Sequence, residues 1–348
     1  MTQAVLVFGA YGHTGRFVVA ELLRRGLEPV LAGRNALALA GLEREYPGLH
    51  TRVATVEDEA SLRAATRGVT AVVNCAGPFI DTGSALVAAA IHADAHYLDV
   101  SAEQASVGQI YRDHQALPRH AGVSVIPAMA FYGGLADLLV SAVTAGWADV
   151  DSIEIFNGLD RWWPTAGTRS TGKRNTAPRL VIDDGRLVPA PLPATTRHWE
   201  FPYPLGSQWV VASPFSEMVT LARHVEAGSV RTFLSRTALA DVRDQDTPGP
   251  VPVEESGRSA QQFVVDVVAR RGATQRRICA TGRDIYAVTA PLVAEAIERL
   301  LHGHRLTGGV AAPGEAFSAR SFLDALHPEH MSVNHFASCS AKAVHGNA

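Results

Sequence analysis

Lysine is almost missing from this chain: its 348 residues hold Lys173 and Lys342 and no others. That scarcity excludes one common route to carbonyl reduction. The short-chain dehydrogenases pair a catalytic tyrosine with a lysine four positions on, and the positions four before the two lysines hold Arg169 and Ser338. Schiff-base chemistry falls to Lys173 or to nothing. Cysteine is also sparse. Cys75, Cys279 and Cys339 are far apart and odd in number, which rules out a disulfide framework and predicts a reducing, cytoplasmic setting. Neither sign of charge dominates. The 31 Lys plus Arg against 34 Asp plus Glu leave −3, so neither nucleic acid nor an anionic membrane is expected as a partner. The first residues lack the basic-then-apolar order of a secretory leader, and none is expected. One long apolar run, Val123 to Trp147, is broken by Pro127, Gly133, Gly134 and Asp137. No window of about eighteen uncharged apolar residues survives, so the run predicts a buried strand (Val123–Ala128) and a buried helix (Leu135–Ala145), not a membrane span. Histidines are not spaced as ligands: His92 and His96 straddle a helix–strand junction, and His327, His330 and His335 lie around Pro328 in a polar tail. No metal is expected.

What the chain does have is a glycine turn in telling company. Ala4–Phe8 is a short apolar run, as in a central parallel strand buried on both faces. Gly9-Ala10-Tyr11-Gly12-His13-Thr14-Gly15 follows it, and then Phe17, Val18, Leu22 and Leu23 at helical spacing, closed by Gly26. Strand, glycine turn and helix in that order predict a dinucleotide cradle. Gly9 permits the sharp turn, Gly12 lets backbone approach the pyrophosphate, and Gly15 allows close helix–strand packing. The helix-start N–H groups of His13 and Thr14 then face the anion. A second strand, Glu28–Ala32, ends at Gly33-Arg34-Asn35. An NAD site carries an acidic residue near this strand end. Arg34 offers a guanidinium suited to a 2′-phosphate and no acceptor for a bare ribose, so the expected cofactor is NADP(H). Further strands follow at His50–Thr55, Ala71–Asn74 and His96–Val100, with a helix at Ser84–His92. The loop Cys75-Ala76-Gly77-Pro78-Phe79 falls at the carboxyl edge, where cofactor and substrate meet in open α/β sheets. Cys75 reads as a small buried thiol.

Residues 4–140 carry a resemblance. Val72-Val73-Asn74-Cys75-Ala76-Gly77-Pro78-Phe79, then Gly83, then Ala93-Asp94-Ala95-His96-Tyr97-Leu98-Asp99, together with the opening glycine motif, resemble the saccharopine dehydrogenase-like oxidoreductases. That group includes saccharopine reductases and trans-acting enoyl reductases. The resemblance implies NADP(H), hydride transfer, a homodimer, and a mixed-sheet domain inserted before a C-terminal helix that returns to the nucleotide domain. Asp284–Leu301 is similar to that returning helix. The expected fold is α/β: a dinucleotide-binding domain over 1–132 with a Rossmann-type parallel sheet, a substrate and dimerisation domain with an α+β mixed sheet over 133–283, a returning segment over 284–326 and a polar tail over 327–348. There is one departure. Where saccharopine reductases carry Asp-Pro-Gly-Ile-Asp-His, this chain has Tyr132-Gly133-Gly134-Leu135-Ala136-Asp137.

In the second half Asp183-Asp184-Gly185 marks a hairpin between Leu180–Ile182 and Leu187–Val188. Gln262–Arg270 and Gln275–Thr281 pair around Gly272, and 244–258 reads as a loop. Gly167 to Lys173 meets the first part of a phosphate-loop pattern, but Arg174 stands where the magnesium-binding hydroxyl belongs and no strand precedes it. Arg169, Lys173 and Arg174 instead suggest either a clamp for a substrate carboxylate or phosphate, or a solvated basic turn. The expected function is reduction of a C=N or C=C bond in a small metabolite. Nicotinamide is expected between Asn74–Phe79 and Phe131–Gly134. Tyr132 is the first candidate proton donor, with Asp99 and Asp137 as orienting groups. Two other readings stay open: an NADPH-binding sensor or partner subunit without turnover, and an enoyl reductase acting on carrier-bound acyl chains.

Overall fold

The computed structural model describes residues 3–117 and 122–340, with side chains at the C-terminal end described to Phe336. Lys342, the side chain of Cys339 and the end of the expected tail lie outside the described residues.

Six strands in the first half build a parallel sheet: β1 (Ala4–Phe8), β2 (Glu28–Gly33), β3 (Thr51–Val53), β4 (Ala71–Asn74), β5 (His96–Asp99) and β6 (Ser124–Ile126). Val5 and Val7 enter one hydrophobic cluster while Leu6 and Phe8 enter the other. Both faces of β1 are therefore covered, which is why its sequence is apolar without alternation. β4 lies beside β1 on the side away from β2, so the winding reverses between β1 and β4. A crevice outside the carboxyl ends of those two strands is where ligands sit in such sheets.

A second, mixed sheet follows: β7 (Val150–Leu159), β8 (Leu180–Asp183), β9 (Arg186–Pro189), β10 (Thr196–Glu200), β11 (Ser207–Ala212), β12 (Ala227–Ser235), β13 (Gln262–Arg271) and β14 (Thr274–Arg283). β7 and β12 run parallel, and the other pairings are antiparallel. Asp184 and Gly185 have φ of 47° and 70°, the two positive angles a two-residue hairpin turn requires. Gly167–Lys173, read as a broken phosphate loop, lies inside the helix Ala166–Arg174, which Thr165 caps by accepting from Thr168 N–H.

The chain then returns. The helix Thr289–Leu301 packs on the first helix, His13–Arg24. Arg25 fastens the two by donating to Glu21 (2.8 Å), Glu295 (2.9 Å) and Glu298. β15 (Gly309–Val310) extends the first sheet beside β6, completing seven strands. The expected polar tail needs correction. β16 (Ser332–Ser340) is an edge strand of the second sheet, paired antiparallel to β14. Its sequence, Ser-Val-Asn-His-Phe-Ala-Ser-Cys-Ser, is mostly small and polar, and the exposed edge of β14 supplies the order that its own pattern lacks.

Candidate functional site

The glycine turn leaves β1 with Gly9 at φ +84°, a left-handed conformation that disfavours any side chain. Gly9 N–H donates to Ala32 O (2.8 Å) and Gly12 N–H to Gly9 O (2.9 Å), closing a tight loop between β1 and the helix. At Gly15 a Cβ would collide with Gly9 O and meet Ala10 Cα at 3.0 Å, so helix and turn touch backbone to backbone. The helix begins after Gly12 with no side-chain cap and no acidic residue in its first turn. Its positive end is thus open to an anion. Outside it lies a cleft of about 400 Å³ lined by His13, Pro164, Thr165, Ala166, Arg169 and Pro250. His13 stands edge-on to Phe17 and Tyr286, and its Nε2 is buried without a partner among the described residues. Burial lowers its pKa, so the ring is neutral near pH 7. An uncapped helix start, a glycine turn and an orphaned imidazole nitrogen on one cleft fit a dinucleotide phosphate.

At the end of β2, Tyr11 packs its ring over Gly33 and accepts from Asn35 N–H (3.3 Å). Asn35 uses its own side chain to cap the next helix, accepting from Ala38 N–H (3.1 Å). Arg34 between them is exposed, with Glu57 near enough to feel its charge. The loop after β4 is held from within. Asn74 is fully buried; its amide donates to Thr82 (3.0 Å) and Tyr97 (3.3 Å) and accepts from Ala76 N–H (3.0 Å). The Asn74 side chain therefore shapes the loop and leaves its backbone to face a ligand. Cys75 is packed beside Asp99, and burial pushes its thiol well above the ordinary range, so it is no nucleophile. A Cβ at Gly77 would lie 2.5 Å from Thr171 Oγ1, so the helix Ala166–Arg174 sits directly over this loop. Phe79 starts the helix Phe79–His92, its N–H held by the carboxylate of Glu103 (2.8 Å).

Residues 5–126 match the family model of the saccharopine dehydrogenase NADP binding domain. Over these residues the chain is similar to the saccharopine dehydrogenase-like proteins. It is 30% identical over 165 residues to a lipid droplet localized protein of Caenorhabditis elegans, covering 44% of this chain and 39% of that one. It is 26% identical over 228 residues to the Bos taurus saccharopine dehydrogenase-like oxidoreductase, covering 57% and 53%. The chain thus spans about half or less of these relatives' length. The fold matches apo saccharopine dehydrogenase (L-Glu forming) from Saccharomyces cerevisiae over 96% of this chain and 100% of that one, at TM-score 0.66 and 12% identity. The cofactor is NADP(H), as the match of residues 5–126 to an NADP binding domain has it. No described helix is long and apolar enough to cross a membrane.

Removing Arg34 tests the 2′-phosphate contact. Arg34→Ala is expected to weaken NADPH binding by about 1.5–3 kcal/mol, the range for a hydrogen bond to a charged group. NADH affinity should stay unchanged. Titration of both nucleotides into both proteins checks this; equal NADH and NADPH affinity in the unaltered chain would remove Arg34 from the site.

The structure separates some predicted groups and unites others. Asp99 is fully buried and accepts from Ala128 N–H (2.8 Å), Ser101 N–H (3.0 Å) and Tyr97 O–H (3.0 Å). Burial raises its pKa to about 6 against those bonds. It anchors β5 to the turn after β6. Asp137 faces His224 (3.2 Å) and Gly314 N–H (2.7 Å) and serves the packing of the C-terminal helices. Arg169, Lys173 and Arg174 do not converge. Arg169 donates to the carbonyls of Asp244 (3.0 Å) and Thr247 (2.5 Å), Arg174 holds Asp81 (2.9 Å), and Lys173 points to solvent.

Tyr132 follows the wide turn after β6, next to Gly133 at φ +96°. Its ring stacks on Phe215 (4.1 Å) and leans on Trp162 (5.2 Å), and its hydroxyl is buried without a partner among the described residues. Burial raises its pKa well above the phenol range, which keeps the proton on. Tyr286 falls within the stretch Asp284–Leu301 expected as the returning helix, but precedes the helix itself, Thr289–Leu301. Its hydroxyl accepts from Trp162 Nε1 (3.0 Å) and Thr165 N–H (3.3 Å) and lies 2.8 Å from Thr168 Oγ1. It ties the helix Ala166–Arg174 to the cofactor side. Sequence reasoning missed Glu103, buried against the loop at Phe79, Glu217, buried near Tyr132, and the half-buried Arg179 near both carboxyls. The Ser101-Ala-Glu103 stretch just past β5 was the only signal, as a carboxylate at a carboxyl edge.

Proposed function

We propose that the chain is an NADP(H)-dependent oxidoreductase that delivers hydride to a C=N or C=C bond of a small metabolite, with Tyr132 supplying a proton. One observation carries this reading: a phenol that burial keeps protonated, with no hydrogen-bond partner among the described residues, packed between Phe215 and Trp162. Bound at the cleft, the cofactor supplies the hydride. The residues of this chain do the rest. Gly9, Gly12, Gly15, His13 and Thr14 bind phosphate, Tyr11 and Arg34 take the ribose end, and the backbone of Cys75–Phe79 borders the reacting ring. Trp162 and Phe215 against Tyr132 exclude water. A panel of cyclic imines and activated alkenes tests the reading by NADPH consumption. Steady turnover on one class supports it; none on either supports a binding role without chemistry.

The same reading includes a reducing, cytoplasmic setting and a homodimer built through the second sheet. Support for the dimer is the family resemblance and the half-exposed Trp209 on β11 (49%). Light scattering at micromolar concentration should give twice the mass of the chain, and a monomer would contradict it.

A further inference from the structure

Beside the cradle, four buried polar atoms have no hydrogen-bond partner among the described residues: Glu103 Oε2, Arg179 Nη1, Glu217 Oε2 and Tyr132 Oη. They belong to four segments that Gln104 draws together. Its Nε2 donates to Leu180 O (2.8 Å) and Phe215 O (2.9 Å), and its Oε1 accepts from Leu180 N–H (2.7 Å). Glu103 and Arg179 are chain neighbours of these bonded residues, and Glu217 is two residues from Phe215. Tyr132 stacks on Phe215 itself. The second oxygens of the carboxyls are fixed: Glu103 Oε1 accepts from Phe79 N–H, and Glu217 Oε1 accepts from Thr232 (2.7 Å) and Phe215 N–H (3.0 Å). Only one oxygen of each is left to meet a ligand. Tyr132, Glu103 and Glu217 are 7%, 1% and 1% exposed.

Orphaned polar atoms at this depth are rare, and four around one hub call for an occupant. The charges say which kind. Both carboxyls lie within electrostatic reach of the Arg179 guanidinium without pairing with it, and Arg174 and Asp81 nearby neutralise each other. Burial pushes both glutamates upward and Arg179 downward, against the attraction between Arg179 and the two carboxyls. One positive charge balances the group, while an anion would add to the imbalance.

We propose that Glu103, Glu217, Arg179 and Tyr132 form the site for the substrate's head group, and that this head carries a protonated nitrogen, amine or iminium. The nitrogen lies toward the two carboxylates and Arg179 remains for an acceptor atom of the same ligand. An imine that arrives neutral takes the Tyr132 proton on nitrogen as hydride reaches its carbon, leaving the amine and a tyrosinate that solvent reprotonates. This rests on the oxidoreductase reading above, since Glu103 abuts the loop expected to border the reacting ring. It selects C=N over C=C within that reading.

The test is a charge comparison on one ring shape, in the full chain saturated with NADPH. Calorimetry compares pyrrolidinium with tetrahydrofuran and with cyclopentanecarboxylate. Pyrrolidinium should bind at least about tenfold more tightly than the ether, the scale of one charge-assisted hydrogen bond. Glu217→Gln, which keeps shape and the bonds to Thr232 and Phe215, should abolish that preference with NADPH affinity and Tm unchanged. If it does not fold, Glu103→Gln takes its place. Arg179→Met should instead tighten pyrrolidinium. Absent pyrrolidinium binding, an ether bound as tightly, a preferred carboxylate, or a glutamine variant that keeps the preference would each overturn the assignment. Turnover of a neutral enone without pyrrolidinium binding would sink this site and spare the oxidoreductase reading. Pyrrolidinium binding with no turnover on any substrate would do the reverse.

Discussion

Gly12→Val should lose NADPH binding while keeping the fold. Gly12 has φ −70° and ψ 162°, extended backbone that valine adopts freely, so no conformational strain is added. Its Cβ would meet Gly9 O at 3.1 Å, a contact that a shift of a few tenths of an ångström relieves. The remaining atoms of the valine would occupy the approach to the open helix start, where pyrophosphate must lie against backbone N–H groups. Circular dichroism and thermal unfolding should therefore match the unaltered chain, with no NADPH binding by titration. Normal binding would move the phosphate site away from the glycine turn. Gly15 makes the useful contrast. There a side chain meets Gly9 backbone inside the packed turn, so Gly15→Val should lower stability as well as binding.

Tyr132→Phe should cut turnover by a factor of about 100 to 10,000, the ordinary contribution of a positioned general acid. The ring's stacking on Phe215 and Trp162 is apolar and survives the change, and among the described residues the lost hydroxyl has no partner to leave unsatisfied. Stability should hold or rise slightly. NADPH affinity should stay within about 0.5 kcal/mol, as for a change outside the cradle. Full turnover in the variant would remove Tyr132 from the chemistry and turn attention to Glu217 or an ordered water. Loss of NADPH binding would make it a cofactor-side residue.

The nucleotide half was legible because its signals are local. β1, β4 and the glycine turn each carry their message within a few residues: an apolar run buried on both faces, then glycines where backbone must turn or touch. What the sequence hid was decided at a distance. Arg169 and Arg174 look like a cluster in one dimension, yet five residues of helix turn them about 140° apart, one to the 244–247 carbonyls and the other to Asp81. Asn74 has the right place for a ligand contact, but Tyr97 and Thr82 take its amide, and neither lies close in sequence. Glu103, Arg179 and Glu217 sit in no motif. Only the fold, through Gln104, makes them neighbours. β16 was missed because a strand recruited by a partner's free edge needs no alternation of its own.

Following a label most directly tests whether this chain is a reductase. The full chain is given NADPH deuterated at the transferring position of the nicotinamide, together with a cyclic imine, and the product is examined by mass spectrometry. Deuterium should appear on the carbon of the former C=N bond, one atom per NADPH oxidised, and should be transferred from one face of the nicotinamide only. An unlabelled product, or no product from any imine or activated alkene while NADPH remains bound, would contradict a hydride-transferring role.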